Sequence, residues 1–157
     1  ELIDTHNVII NTVLNDKYNE AKEIGAVIAL QIGDLSAVCM EELDIILLLS
    51  NLFNNAIEAA DGNPVELSVR QSSTDSSYVI EVEDHGPGID PEDMEQIFEP
   101  GFSTKINYET GEVNRGLGLS LVKDFIELRL GGTIRVTSVP GKTVFTLTIP
   151  KEKWSGL

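Results

Sequence analysis

No part of the chain limits its fold more than the stretch from Glu41 to Ala60, EELDIILLLSNLFNNAIEAA, which contains neither Gly nor Pro. It is apolar on most of its sides, so as a helix it must be buried between a sheet and something else. Asp61-Gly62-Asn63-Pro64 stops it sharply, because Gly reaches the left-handed cap conformation and Pro cannot continue a helix. Asn51, Asn55 and Glu58 fall at i, i+4 and i+7 and so form one polar stripe along it.

The rest of the chain supplies the sheet. Leu2 to Gly25 has mixed polarity with helical spacing and reads as a lead-in helix stopped at Gly25. Ala26 to Ile32 is a short strand turning at Gly33-Asp34, and Val65–Arg70 with Tyr78–Glu83 form a hairpin around the polar loop Gln71–Ser77. Pro91 to Phe98 is expected to be a short helix begun by Asp90-Pro91. Gly101 to Arg115 is polar and aperiodic, and at that length it reads as a lid. Gly116 to Leu130 returns to helix, with Leu119, Val122, Phe125 and Ile126 on one face, ended by Gly131-Gly132. Thr133–Val139 and Thr143–Ile149 close the chain as a second hairpin. Runs of antiparallel strands mixed with helices predict an α+β fold of two layers.

Three constellations carry chemistry. The amides of the long helix are costly to bury unless they are hydrogen-bonded or coordinate a cation. Mg²⁺ accepts an amide carbonyl oxygen while phosphates and water complete its shell, which makes Asn55 a candidate ligand. Hydrogen bonds to neighbouring backbone are the competing account of the same residues. Asp84-His85-Gly86-Pro87-Gly88-Ile89-Asp90 follows directly on a strand. A carboxylate there can accept from an exocyclic amine while the glycines let backbone approach a flat ring such as adenine, although the same composition also occurs in ordinary turns. Arg115-Gly116-Leu117-Gly118-Leu119-Ser120 opens a helix, where free N–H groups and the dipole favour phosphate. It is not a dinucleotide fingerprint, and no Gly-Lys-Ser/Thr phosphate loop occurs in the chain.

Charge narrows the partners. Eleven Lys and Arg against 26 Asp and Glu give 11 − 26 = −15, a field that repels nucleic acid and anionic membrane surfaces. Lys105 and Arg115 are cations placed in the presumed lid, where they could compensate a triphosphate. The single Cys39 excludes an internal disulfide and fits a reducing compartment. The longest apolar run, Ile45 to Leu49, is far below the roughly 20 residues that span a bilayer. The chain opens on Glu1 rather than Met, as a piece excised or processed from a longer protein would.

The order of these pieces over Asn51 to Phe145 resembles the GHKL superfamily of gyrase, Hsp90, histidine kinase and MutL ATPases. Asn51-Leu52-Phe53-Asn54-Asn55-Ala56 is similar to its asparagine box, Asp84-His85-Gly86-Pro87-Gly88 to its first glycine box, Ile97 through Lys105 (IFEPGFSTK) to its phenylalanine box, and Arg115-Gly116-Leu117-Gly118-Leu119 to its second glycine box. Thr143-Val144-Phe145 resembles the closing strand motif. The wording resembles most closely the sensor histidine kinases of the citrate and dicarboxylate sensing subgroup and their quorum-sensing relatives.

The resemblance implies a two-layer α+β sandwich of the Bergerat type, a mixed and mostly antiparallel sheet covered on one face by helices, with an ATP lid and the cofactors ATP and Mg²⁺. It implies that Asn55 holds Mg²⁺, that Asp84 binds the adenine amino group, and that Gly86, Gly88, Ile89, Phe98 and Thr143 shape the adenine pocket. Lys105 and Arg115 meet phosphates, Gly116, Leu117, Gly118 and Leu119 line the phosphate end, and Asn51, with Lys105 and Arg115, serves the transfer itself. Hydrolytic members have a glutamate where Asn51 stands, and an amide cannot act as a general base, so the implied reaction is transfer of the γ-phosphoryl group to a histidine. Neither His6 nor His85 is followed by the pattern that accompanies a phosphoacceptor, so the acceptor domain lies outside this chain. Residues 1–25 then resemble the end of a dimerisation helix and a linker, and residues 26–157 the catalytic domain. The implied partners are that acceptor domain and a response regulator, at the cytoplasmic side of a parent sensor. Glu58 stands where many such kinases have Lys or Arg. A serine kinase of the anti-sigma type, or a nucleotide-gated interaction module without phosphotransfer, is the alternative.

Overall fold

The computed structural model describes residues 4–38, 42–59, 66–99, 106–107, 112–113 and 118–154. Helix α1 (Val8–Glu23) starts where the Asn7 side chain accepts from the Ile10 amide, and it stops before Gly25, which takes a φ of 80°. Ile10, Val13, Leu14 and Ala21 recur on one face of α1 and are buried in the same core as helix α2 (Glu42–Ala59). Residues 8–23 therefore share one core with the residues that follow.

Strands β1 (Val27–Gln31), β2 (Glu66–Ser73), β3 (Ser77–Asp84), β6 (Thr133–Val139) and β7 (Lys142–Pro150) make a five-stranded sheet in the order β1-β2-β3-β7-β6. Only β1 and β2 run parallel; the other pairs are antiparallel. The sheet is mixed and mostly antiparallel, and the predicted α+β two-layer sandwich is the observed one. Tyr78, Ile80, Val82 and Asp84 alternate inward along β3, as Thr143, Phe145, Leu147 and Ile149 do along β7. Leu48, Leu52 and Phe53 of α2 complete the core. Each large side chain so buried stabilises by roughly 1.5–3 kcal/mol before the entropy of ordering it is counted.

The helix expected over Gly116–Leu130 is instead α3 (Gly118–Asp124) followed by a π-helical turn, Phe125–Arg129. The wider turn closes with the Leu130 amide on the Phe125 carbonyl at 3.0 Å while Phe125, Ile126 and Leu130 stay buried. One extra residue per turn brings all three to the core, at the cost of poorer helical geometry. The helix expected over Pro91–Phe98 appears as successive turns, with the amides of Asp93, Gln96 and Glu99 donating to the carbonyls of Asp90, Asp93 and Gln96. So short an isolated helix is marginal, and only Ile97 in it is buried. Of the expected lid, β4 (Ile106–Asn107) pairs with β5 (Glu112–Val113); its other residues lie outside the described ones. A final short helix, α4 (Lys151–Trp154), was not anticipated.

Candidate functional site

The site is built at the ends of β3, β7 and β6. Asp84 is the last residue of β3 and points inward, only 6% exposed. Its cross-strand partner on β7 is Thr143, also buried, and the partner of Thr143 on β6 is Ser138. One row of polar side chains thus crosses three strands on the face that carries the core. One carboxylate oxygen of Asp84, Oδ1, accepts from the Gly86 amide at 3.1 Å. Its other oxygen has no partner among the described residues. Burial pushes the Asp84 carboxyl above its ordinary value, against the opposing pull of the Gly86 amide and nearby His85.

The loop after Asp84 is tied down along its length. The His85 amide donates to the Glu66 carbonyl at 3.2 Å, and the Gly141 amide donates to the Gly86 carbonyl at 3.1 Å. The Ile89 amide donates to Ser138 Oγ at 2.8 Å, and Ser138 Oγ lies 2.6 Å from Thr143 Oγ1. Gly88 has a φ of 88°, and a Cβ there would sit 2.8 Å from the Val139 carbonyl oxygen. No other residue fits at that point without moving the loop.

On the opposite face of the sheet, Glu83 gathers two cationic groups and an imidazole. Its Oε1 lies 3.5 Å from Arg70 and 3.9 Å from Lys142, and its Oε2 lies 3.0 Å from Nε2 of His85. His85 is therefore turned away from the pocket row and anchors the loop from outside. Sequence reasoning missed Glu83, Arg70 and Ser138. The signal for Ser138 was available, since it is the polar residue in the inward register set by Ile134 and Val136.

Asn51 and Asn55 are half-buried on α2. Asn51 Nδ2 donates to the Leu47 carbonyl at 2.7 Å, the backbone bond that was the competing account of this residue, and its side-chain oxygen is left as an acceptor. The side chain of Asn55 makes no hydrogen bond to another described residue. Phe98 meets Phe145 edge to face, with centroids 6.3 Å apart, and carries the Lys123 ammonium 5.2 Å above its ring. Phe145 lies two residues along β7 from Thr143, so Phe98 joins the same end of the sheet. Leu119, in the first turn of α3, packs half-buried on the core, and Gly118 opens that helix. Lys105, Arg115, Gly116 and Leu117 lie outside the described residues, as does the side chain of Glu58.

One family model, described as histidine kinase-, DNA gyrase B- and HSP90-like ATPase, matches residues 40–153, a span that holds the strand-end acid, the glycine loop and the asparagine helix. The chain belongs to this ATPase family. Within it, the sensor protein CitS of Halalkalibacterium halodurans is 35% identical over 92% of this chain and 27% of its own length. The sensor histidine kinase DcuS of Escherichia coli K12 is 37% identical over 94% of this chain and 26% of its own. The chain spans about a quarter of the length of these relatives. The catalytic domain of the histidine kinase ThkA superposes with a TM-score of 0.76 at 28% identity, covering 94% of this chain and 95% of that one. ThkA solved in complex with the response regulator TrrA superposes with a TM-score of 0.72 at 27% identity, over 92% of this chain and 40% of that one. Within the ATPase family the chain therefore corresponds to the ATP-binding catalytic domain of the sensor histidine kinases.

Proposed function

We propose that this domain binds Mg-ATP at the ends of β3, β6 and β7 and donates the γ-phosphoryl group to a histidine on a separate dimerisation domain. The bond from the γ-phosphorus to the bridging oxygen breaks, ADP departs, and a bond to the acceptor imidazole nitrogen forms. The observation that carries the reading is the buried Asp84 carboxylate, one oxygen held by Gly86 and the other without a partner among the described residues. A buried acceptor of that kind is costly unless a ligand supplies a donor, and the exocyclic amine of adenine is such a donor. Gly86, Gly88, Ile89 and Thr143 shape the pocket around it, and Phe98 closes its side. Its further protein partner is a response regulator, as ThkA has in TrrA.

The magnesium ion fits the donor set. Asn55 offers a half-buried amide carbonyl, a hard oxygen ligand. Among the described residues no group of three His, Cys, Asp or Glu converges, so phosphates and water would complete its shell. When bound, the ion neutralises charge developing on the phosphates. Asn51 orients the reacting end from the next turn of α2, and Lys105, Arg115 and the amides of Gly116, Leu117, Gly118 and Leu119 hold the phosphates. In this reading residues 1–25 join the domain to the dimerisation helices, with α1 packed on α2, on the cytoplasmic side of a parent sensor. Among the described residues no helix is long and apolar enough to cross a membrane.

The test is a transfer assay with γ-labelled ATP and the dimerisation domain of the parent. Acid-labile label on a histidine supports the reading. Acid-stable label on serine would assign a serine kinase, and no label with intact ADP binding would leave a nucleotide-gated module.

A further inference from the structure

We propose that Ser138 is a positioning residue for the nucleotide loop, setting both how tightly the pocket holds adenine and how strongly it prefers adenine over guanine. The proposal rests on the reading of the pocket as an adenine nucleotide site. Ser138 lies on β6, an edge strand, and reaches a loop 49 residues away in sequence. Three of the bonds that fix the loop act on its first two residues: the His85 amide to Glu66, the Gly86 amide to Asp84, and the Gly141 amide to the Gly86 carbonyl. Among the described residues only the bond from the Ile89 amide to Ser138 Oγ fastens the far end.

The same hydroxyl is bonded to Thr143 at 2.6 Å, and Thr143 stands opposite Asp84 in the strand register. A single oxygen therefore couples the loop backbone to the side chain beside the adenine-binding acid. Contact is close enough that a Cβ on Gly88 would lie 3.2 Å from it. Removing it leaves the half-buried Ile89 amide and the buried Thr143 hydroxyl each short of a partner, and frees residues 87–89 to move away from Asp84. A carboxylate that no longer meets a fixed loop discriminates less well between an amine and a carbonyl on the purine, because discrimination of this kind depends on geometry held in advance.

The experiment is titration of ADP and GDP into wild type, Ser138→Ala and Ser138→Thr, together with amide hydrogen exchange at Ile89 and thermal unfolding of each. Loss of one such hydrogen bond predicts ADP binding weakened about five- to tenfold in Ser138→Ala. It also predicts a smaller ratio of ADP to GDP affinity and faster exchange at Ile89. Ser138→Thr, which keeps the hydroxyl and suits a strand, restores all three. ADP affinity, purine preference and Ile89 exchange unchanged in Ser138→Ala would overturn the proposal. So would a weakening that leaves purine preference intact and is not rescued by Thr, the signature of a merely structural loss. Wild type that takes up no ADP would overturn the nucleotide reading itself, and this proposal with it, an outcome visible before any variant is made.

Discussion

Replacing Gly88 with Ala tests whether the loop geometry is demanded by the fold or merely tolerated. Two costs arise. The φ of 88° is a conformation that an L side chain adopts at about 1–2 kcal/mol. In addition the new methyl group would meet the Val139 carbonyl oxygen at 2.8 Å, so the loop must back away from β6. That movement strains the bond from the Ile89 amide to Ser138, worth about 1 kcal/mol. Together these give about 2–3 kcal/mol, or a fall in melting temperature of roughly 4–12 °C for a domain of this size. Gly25→Ala is the control, because Gly25 has a similar φ of 80° but nothing within 4 Å of a Cβ. It incurs the backbone cost alone, about 1–2 kcal/mol, and lies at the entry to β1, two strands away from the one that carries Asp84. Calorimetric melting with parallel ADP titration of both variants separates the contributions. Gly88→Ala should melt lower than Gly25→Ala and lose at least tenfold in ADP affinity, while Gly25→Ala binds as wild type does. Equal melting temperatures and equal affinities in the two variants would refute the account of the loop.

Two further outcomes follow from the same reasoning. Asp84→Asn should leave the domain at least as stable as wild type near neutral pH while abolishing tight nucleotide binding. Burial raises the folded-state value of the Asp84 carboxyl above its ordinary 3.8, so between the two values the folded state holds a proton that the unfolded state has lost. The wild type therefore loses stability as pH rises through that window and the Asn variant does not; urea midpoints from pH 4 to 7 check this, and a variant destabilised at pH 7 would contradict it. Leu14→Ala in α1 should cost about 2–5 kcal/mol, because Leu14 is 1% exposed and borders an apolar cavity of about 30 Å³ shared with Leu48, Val69 and Ile80. An unfolding free energy in urea within about 0.5 kcal/mol of wild type would mean that α1 is not part of the folding unit.

Much of this was legible in the sequence, and the exceptions have physical causes. The long helix is written in its composition, since a run without Gly or Pro that is apolar on most sides has few other ways to hide, and it runs from Glu42 to Ala59. The placing of Asp84 at a strand end followed from the alternation that precedes it. The π turn at Phe125–Arg129 was not legible, because its apolar spacing fits an ordinary helix and only the packing of Phe125, Ile126 and Leu130 selects the wider turn. The turns over 91–98 defeated the cap signal of Asp90-Pro91 because a first-turn preference cannot sustain a helix that buries one side chain. The inward position of Ser138 on β6 was legible from its register with Ile134 and Val136, but its contact 49 residues away, where its importance lies, is not encoded in local pattern. Glu83 and its cations escaped for the same reason, their grouping being a product of strand register.

The central claim, that the row from Asp84 to Thr143 and Ser138 holds adenine with magnesium at the far end, is tested most directly by calorimetric titration. ADP and a non-hydrolysable ATP analogue are titrated, with and without Mg²⁺, into wild type and Asp84→Asn. The account predicts saturable binding to wild type that Mg²⁺ strengthens and that Asp84→Asn abolishes. Binding of equal strength in both proteins, or none to folded wild type, would contradict it.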